Sequence, residues 1–222
     1  MSEAPSALGR FAGVLFDFEG TLVDFQWRLQ EAEAELREAL ATLGFPAGMF
    51  DGDSYATMWN RAVFHPGGPA EAVLRTTLDP IYDRWDLDAL SRWRPRGGAA
   101  AVLRDLSVAG RRLALVSNIG GRALSEALVR FGFAAYLDPV VTRDDVRLMK
   151  PVGEGLRRCL EHWGLAPEQV VLVGDSRTDI GAARDAGVRV AIIVGGESDS
   201  EARALDPPDH FLTSLDEVAA LP

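Results

Sequence analysis

Apolar and polar positions follow two patterns along this chain. Short runs rich in Val, Leu and Ile recur at 11–17 (FAGVLFD), 112–117 (RLALVS), 137–142 (LDPVVT), 170–175 (VVLVGD) and 189–194 (RVAIIV). A strand covered on both faces has no solvent side to mark with polar residues, so these runs predict a parallel sheet buried on both faces. Segments of helical period lie between them, at 98–109, 122–132, 153–164 and 178–187. Gly110, Gly132, Gly164 and Gly187 stand at their ends, where glycine commonly closes a helix. Strands alternating with helices predict a doubly wound α/β core.

The interval 25–93 breaks this alternation. It opens with WRLQEAEAELREALATLG, an amphipathic helix with Glu and Arg on its outer face. SYATMWNRAVFH and AEAVLRTTLDPIYDRW continue in the same style, and no buried-strand run intervenes. The simplest account is a helical domain at 25–93, inserted between the loop of the first strand and the first crossover of a core formed by 1–24 and 94–222. Pro95 and Gly97 in RPRG suit the return.

Charge narrows the partners. The 222 residues include 33 acidic and 23 basic ones, for a formal net charge of −10. Nucleic acid and anionic membranes attract basic surfaces, so neither is an expected partner. No apolar run approaches the ~18–20 residues of a membrane span. The first ten residues, MSEAPSALGR, lack the basic segment and long apolar core of a secretory signal. Cys159, the single cysteine, has no metal-ligand spacing around it and reads as a core residue. These features predict a soluble cytoplasmic protein, monomeric or homodimeric, whose partner is a small molecule.

Open α/β sheets bind ligands at the carboxyl ends of their strands. Asp17 and Glu19 follow the first run, and Ser117 and Asn118 follow the second. Lys150 precedes Pro151 in the loop after the third, and Asp175 and Asp179 close the fourth in GDSRTD. Each has an ordinary structural reading: Asp or Ser after a strand often caps a helix, lysines are usually solvated, and an acid in a first turn favours the helix dipole. Their coincidence at successive strand ends points to chemistry. Clustered carboxylates repel unless a cation sits among them, and a few hard oxygen ligands with room for water favour Mg²⁺. Mg²⁺ and a lysine would make an anion site despite the net negative charge. The Ser117 hydroxyl and Asn118 N–H could hold two phosphate oxygens. A carboxylate beside Mg²⁺ and Lys stays ionised and can attack phosphorus. A second carboxyl two residues on could protonate the leaving oxygen and then activate water.

These residues, in this order, resemble the haloacid dehalogenase superfamily, most of whose members are phosphatases. FDFEGTLVD is similar to its first motif, normally DxDGT, LVSN to the second, LMKP to the third and LVGDSRTDIGAARDAG to the fourth. The resemblance spans residues 12–194. It implies a Rossmann-like core of strand order 5-4-1-2-3, with the helical insertion as a mobile cap of the phosphoglycolate phosphatase-like kind. It implies Asp17 as the nucleophile that forms an aspartyl-phosphate. Asp17, the Glu19 main-chain carbonyl and Asp175 would hold Mg²⁺, with Asp179 as a metal or water ligand. Ser117 and Asn118 would bind phosphate, and Lys150 would pair with the nucleophile and the transferring group.

Glu19 departs from the family pattern. Dehalogenase and phosphonatase members lack an acid at this place, and phosphonatases use a cap lysine, whereas 25–93 contains none. Enolase-phosphatase-like members use a similar DxEGT, so the resemblance implies phosphate chemistry with Glu19 as acid and base. Its extra methylene moves the carboxyl by about an ångström, an error that can cost ~10²-fold in rate. In the cap, Arg28 is a candidate for a substrate carboxylate, against the plainer reading of a surface arginine beside a packed Trp27. Trp59, Arg61 and His65 read as cap core and surface. The expected activity is Mg²⁺-dependent hydrolysis of a small phosphorylated metabolite. The alternatives are a phosphotransferase or mutase, in which an acceptor hydroxyl replaces water, and a binding protein with a degenerate site.

Overall fold

The computed structural model describes residues 11–195 and 207–221. The N-terminal decapeptide, read above as lacking a secretory pattern, lies outside the described residues. Five of the strands are β1 (Gly13–Phe16), β2 (Arg112–Val116), β3 (Val140–Val141), β4 (Val170–Gly174) and β5 (Arg189–Ile193). A further strand, β6 (His210–Leu212), was not expected from the sequence. The sheet is parallel throughout, in the order β3-β2-β1-β4-β5-β6. The implied order 5-4-1-2-3 is therefore present, with β6 added outside β5. β3 is shorter than its apolar run: Leu137 is buried in the approach, and only Val140 and Val141 pair with β2.

The unbroken apolar runs are explained by what covers the sheet. Successive strand residues point to opposite faces. Val14, Phe16, Leu113, Leu115, Val171 and Val173 face one apolar cluster. Helices α4 (Ala99–Val108) and α5 (Gly121–Phe131) cover that side with Leu103, Leu106, Leu124 and Leu128. Leu15, Ala114, Val116, Leu172, Val190 and Ile192 face the other cluster. There α6 (Glu154–Trp163) and α7 (Arg177–Ala186) supply Leu156, Cys159, Ile180 and Ala183. Cys159 is the core residue its surroundings predicted, with burial raising its thiol to about 12. Among the described residues, no helix is long and apolar enough to cross a bilayer.

The insertion carries α1 (Leu29–Thr42), α2 (Tyr55–Phe64) and α3 (Glu71–Leu90). Their inward positions, among them Leu36, Leu40, Trp59, Leu74, Leu78 and Tyr82, are buried together. Ser54 caps α2 by accepting from the Thr57 N–H. Pro80 lies inside α3 without ending it. The chain leaves and re-enters the core at one place. The Asp24 N–H donates to the Arg94 carbonyl at 3.0 Å, and the Arg94 N–H to the Asp24 carboxylate at 2.6 Å. Val23 and Pro95 form an antiparallel bridge beside them.

A buried ion pair fastens the insertion to the core. Arg143, in a 3₁₀ turn after β3, is 2% exposed, and Asp86 of α3 is 1% exposed. Arg143 donates to Asp86 at 2.9 Å and to Asp83 at 2.7 Å, and its guanidinium lies over the Tyr82 ring. Asp86 also accepts from the Gly120 N–H at 2.9 Å and from the Trp27 indole at 3.0 Å. Burial raises the Asp86 pKa, against the lowering effect of Arg143. Removing Asp86 leaves the buried Arg143 with Asp83 and takes the acceptor from the Gly120 N–H and the Trp27 indole, a loss of about 3–5 kcal/mol. Asp86→Ala is therefore expected to lower the midpoint of urea unfolding by that equivalent. An unchanged midpoint would show that the pair does not hold the two parts together.

Candidate active site

The strand register sets the site. Phe16 is paired with Leu115 and Val173, so Asp17, Ser117 and Asp175 all emerge just past the carboxyl ends of adjacent strands. The Asp17 N–H still donates to the Val173 carbonyl at 2.9 Å, so the residue is anchored to the sheet while its side chain leaves it. Its carboxylate meets the Lys150 ammonium, with Oδ1 2.6 Å from Nζ. Nζ lies equally close, 2.6 Å, to Asp179 Oδ1. All three side chains are buried.

Lys150 reaches this point because its backbone is held from two sides. The Asn118 side-chain amide accepts from the Lys150 N–H at 2.9 Å and donates to the Lys150 carbonyl at 3.1 Å. Asn60 of α2 does the same for Met149, with both bonds at 2.9 Å. The neighbouring Trp59 indole donates to the Arg147 carbonyl at 2.8 Å. One asparagine from the core and one from the insertion thus pair with consecutive residues. Of the 23 basic residues in the sequence, Lys150 is the only lysine.

Asp179 serves two partners. While Oδ1 takes Lys150, Oδ2 accepts from the Ser176 hydroxyl at 2.6 Å, the Ser176 N–H at 3.1 Å and the Asp175 N–H at 3.2 Å. As the first-turn acid of α7, this residue both closes that turn and holds the lysine. Gly174 allows that approach, since a Cβ there would overlap the Asp179 carboxylate. Gly20 has φ of +81°, and a Cβ there would overlap the Asp175 carboxylate.

Burial dominates the electrostatics. It raises Asp17 to about 6, although Lys150 pulls the other way. Burial alone would lower the Lys150 ammonium, but Asp17 and Asp179 outweigh it and hold its pKa above the usual lysine range. Oxygens of Asp17, Asp175 and Asp179 lie within 4.8 Å of one another, all on buried residues. One ammonium cannot balance these carboxylates. The Glu19 main-chain carbonyl beside them receives no hydrogen bond from the described residues. A compact set of hard oxygen donors with excess negative charge fits a divalent cation such as Mg²⁺.

Glu19 lies in the same cleft, yet its carboxylate is turned to the hinge. Oε1 accepts from the Gln26 N–H at 2.6 Å, the Trp27 N–H at 2.8 Å and the Trp93 indole at 2.8 Å. Gln26 and Trp27 lie on the segment that leaves the core, and Trp93 on the segment that returns to it. Burial raises its pKa to about 8, despite those three donors.

Ser117 and Asn118 line the cleft beside Asp17. The Ser117 hydroxyl oxygen accepts from the Ile119 N–H at 3.3 Å. The Asn118 N–H has no acceptor among the described residues. Arg28 is not brought to the site. Its side chain is 53% exposed and lies against Asp88 at 3.5 Å, and from the insertion it is Phe25 and Tyr55 that line the cleft. Asn60, Asp86 and Arg143 were missed from the sequence. Each acts by bonding distant backbone or a distant charge, and neither periodicity nor motif spacing marks such a residue. The isolated lysine was the signal available, in a chain that otherwise uses arginine.

Comparison with known proteins places this geometry in a family. A model of haloacid dehalogenase-like hydrolases matches residues 11–187. Phosphoglycolate phosphatase of Salmonella choleraesuis is 35% identical over 119 residues, which cover 54% of this chain and 47% of that protein. The Shigella boydii phosphoglycolate phosphatase is 34% identical over 153 residues, 68% of this chain and 60% of that one. The matches thus span about half to three-fifths of these relatives' length. The crystal structure of CbbY from Rhodobacter sphaeroides in complex with phosphate has a TM-score of 0.63 at 25% identity, covering 94% of this chain and 96% of that one. The strand-end motifs, the helical insertion after β1 and the family match agree: the chain belongs to the haloacid dehalogenase-like hydrolases.

Proposed function

We propose that this chain is a Mg²⁺-dependent phosphomonoesterase that hydrolyses a small phosphorylated metabolite through an aspartyl-phosphate at Asp17. The observation that carries this reading is the shared ammonium: Lys150 Nζ stands 2.6 Å from both Asp17 and Asp179 at the mouth of the sheet. The phosphate complex of CbbY and the names of the phosphoglycolate phosphatases support phosphate-ester chemistry.

In this reading the Ser117 hydroxyl and the Asn118 N–H take two non-bridging phosphate oxygens, and Lys150 offsets the charge of the transferring group. An Asp17 carboxylate oxygen bonds to phosphorus as the bond to the ester oxygen breaks. Glu19 gives its proton to that leaving oxygen; a pKa of about 8 keeps the group protonated at neutral pH. Glu19 then removes a proton from a water molecule that attacks phosphorus, releasing inorganic phosphate and restoring Asp17. Asp17, Asp175 and the Glu19 carbonyl would hold Mg²⁺, supported by Asp179, and the ion would supply positive charge opposite the phosphate. The insertion at 25–93 acts as the cap, and Glu19, tied to both hinge segments, links the orientation of the acid to the position of that cap.

Three outcomes test the reading. Asp17→Asn is expected to abolish release of inorganic phosphate from phosphate monoesters while the far-UV circular dichroism is unchanged; wild-type turnover would remove Asp17 as nucleophile. Chelation with EDTA is expected to abolish the same turnover, and added Mg²⁺ to restore it. Glu19→Asp is expected to stay within about 10²-fold of wild type, whereas Glu19→Ala should lose more than ~10². Near-normal turnover in the alanine variant would end its role as acid and base.

A further inference from the structure

The walls of the cleft carry information about the rest of the substrate. The cleft over Asp17 is small and partly open to solvent. Beyond the acidic and phosphate-binding groups, Phe25, Tyr55, Ile119, Ser176 and Thr178 line it. Lys150 is the one cationic side chain among the described residues that line the cleft, and it is already shared between Asp17 and Asp179. Glu19 and Asp175 line the same space and are acidic.

None of the six arginines of the insertion lines the cleft, and five of them are paired with carboxylates. Arg28 and Arg92 lie on Asp88, Arg61 on Asp53, Arg75 on Glu71 and Arg84 on Glu35. The aromatic wall is held in place as well. The Tyr55 ring packs 4.6 Å from that of Trp27, and the Tyr82 hydroxyl donates to the Tyr55 carbonyl at 3.0 Å. Trp27 is fixed in turn by Asp86. A second anionic group on the substrate would lose its water beside Phe25, Tyr55 and Ile119 and meet no free cationic side chain among the residues that line the cleft, which is a costly burial.

Resting on the phosphomonoesterase reading, we infer that the substrate carries its charge at the phosphate alone: a small monoester of an uncharged alcohol. The curated relatives are named for an ester that also bears a carboxylate, so this chain differs from them in what the cap side of the cleft accepts.

The test compares esters of nearly equal size. With Mg²⁺ present, kcat/KM is measured for 2-hydroxyethyl phosphate and for 2-phosphoglycolate. The neutral ester is expected to be preferred by about tenfold or more; equal use, or preference for phosphoglycolate, overturns the inference. Phe25→Arg, which supplies the missing cation, is expected to shift the ratio toward phosphoglycolate by at least about tenfold. A parallel measurement needs no turnover: calorimetric titration of the wild-type protein with Mg²⁺ and either ethylphosphonate or phosphonoacetate. Tighter binding of ethylphosphonate supports the inference, and tighter binding of phosphonoacetate overturns it, even if neither ester is hydrolysed. Binding without hydrolysis would sink the phosphatase reading alone. Failure to bind inorganic phosphate or either phosphonate would sink both.

Discussion

The site depends on one ammonium placed between two buried carboxylates. Water screens charges well, but the interior of the fold does not, so Asp17 and Asp179 could not share this space unaided. Lys150 makes their proximity favourable, and their joint field keeps it protonated in spite of burial. The arrangement then spreads outward. Asp179 uses its other oxygen to close the first turn of α7, which fixes the backbone that presents Asp175. Asn118, one residue past Ser117, orients the lysine's own backbone. The ends of β1, β2 and β4 are thereby joined through side chains as well as through the sheet.

The helical insertion takes part in this construction. Asn60 holds the residue before Lys150, and Asp86 holds both Arg143 and the Gly120 N–H. The insertion therefore contacts the lysine loop on one side and the Ser117–Gly120 loop on the other. Glu19 adds a third tie at the hinge, where Gln26, Trp27 and Trp93 converge on one oxygen. The longer arm of Glu has a physical reading here: its carboxylate reaches backbone N–H groups of the outgoing segment and an indole of the returning one while its own backbone stays beside the carboxylates.

Much of this was legible in the sequence because burial on both faces leaves a strong mark. The Val, Leu and Ile runs predicted β1, β2, β4 and β5, and the polar residues at their ends marked the site. β6 escaped because His210, Phe211 and Leu212 make too short a run to stand out. β3 was read too long because Leu137–Pro139 only approach β2, with the Asp138 N–H donating to the Leu113 carbonyl at 2.8 Å, before Val140 and Val141 pair with it. Asp17 and Asp175 could be read because each directly follows a strand, and Lys150 and Asp179 because each belongs to a short motif. Arg28 could not be placed, because which side of a hinge an arginine points to depends on partners such as Asp88 rather than on local pattern. Asn60, Asp86 and Arg143 gave no pattern at all, for their bonds cross between parts of the chain distant in sequence.

The solitary lysine has a chemical consequence of its own. Guanidinium groups supply every other basic side chain, and they stay protonated at any pH at which the protein is folded. The chain therefore has one side-chain amine, and it is buried between two carboxylates. Acylation, carbamylation and imine formation all require an amine that can shed its proton and meet the reagent. For this protein such chemistry has a single side-chain address, and the fold keeps that address shut.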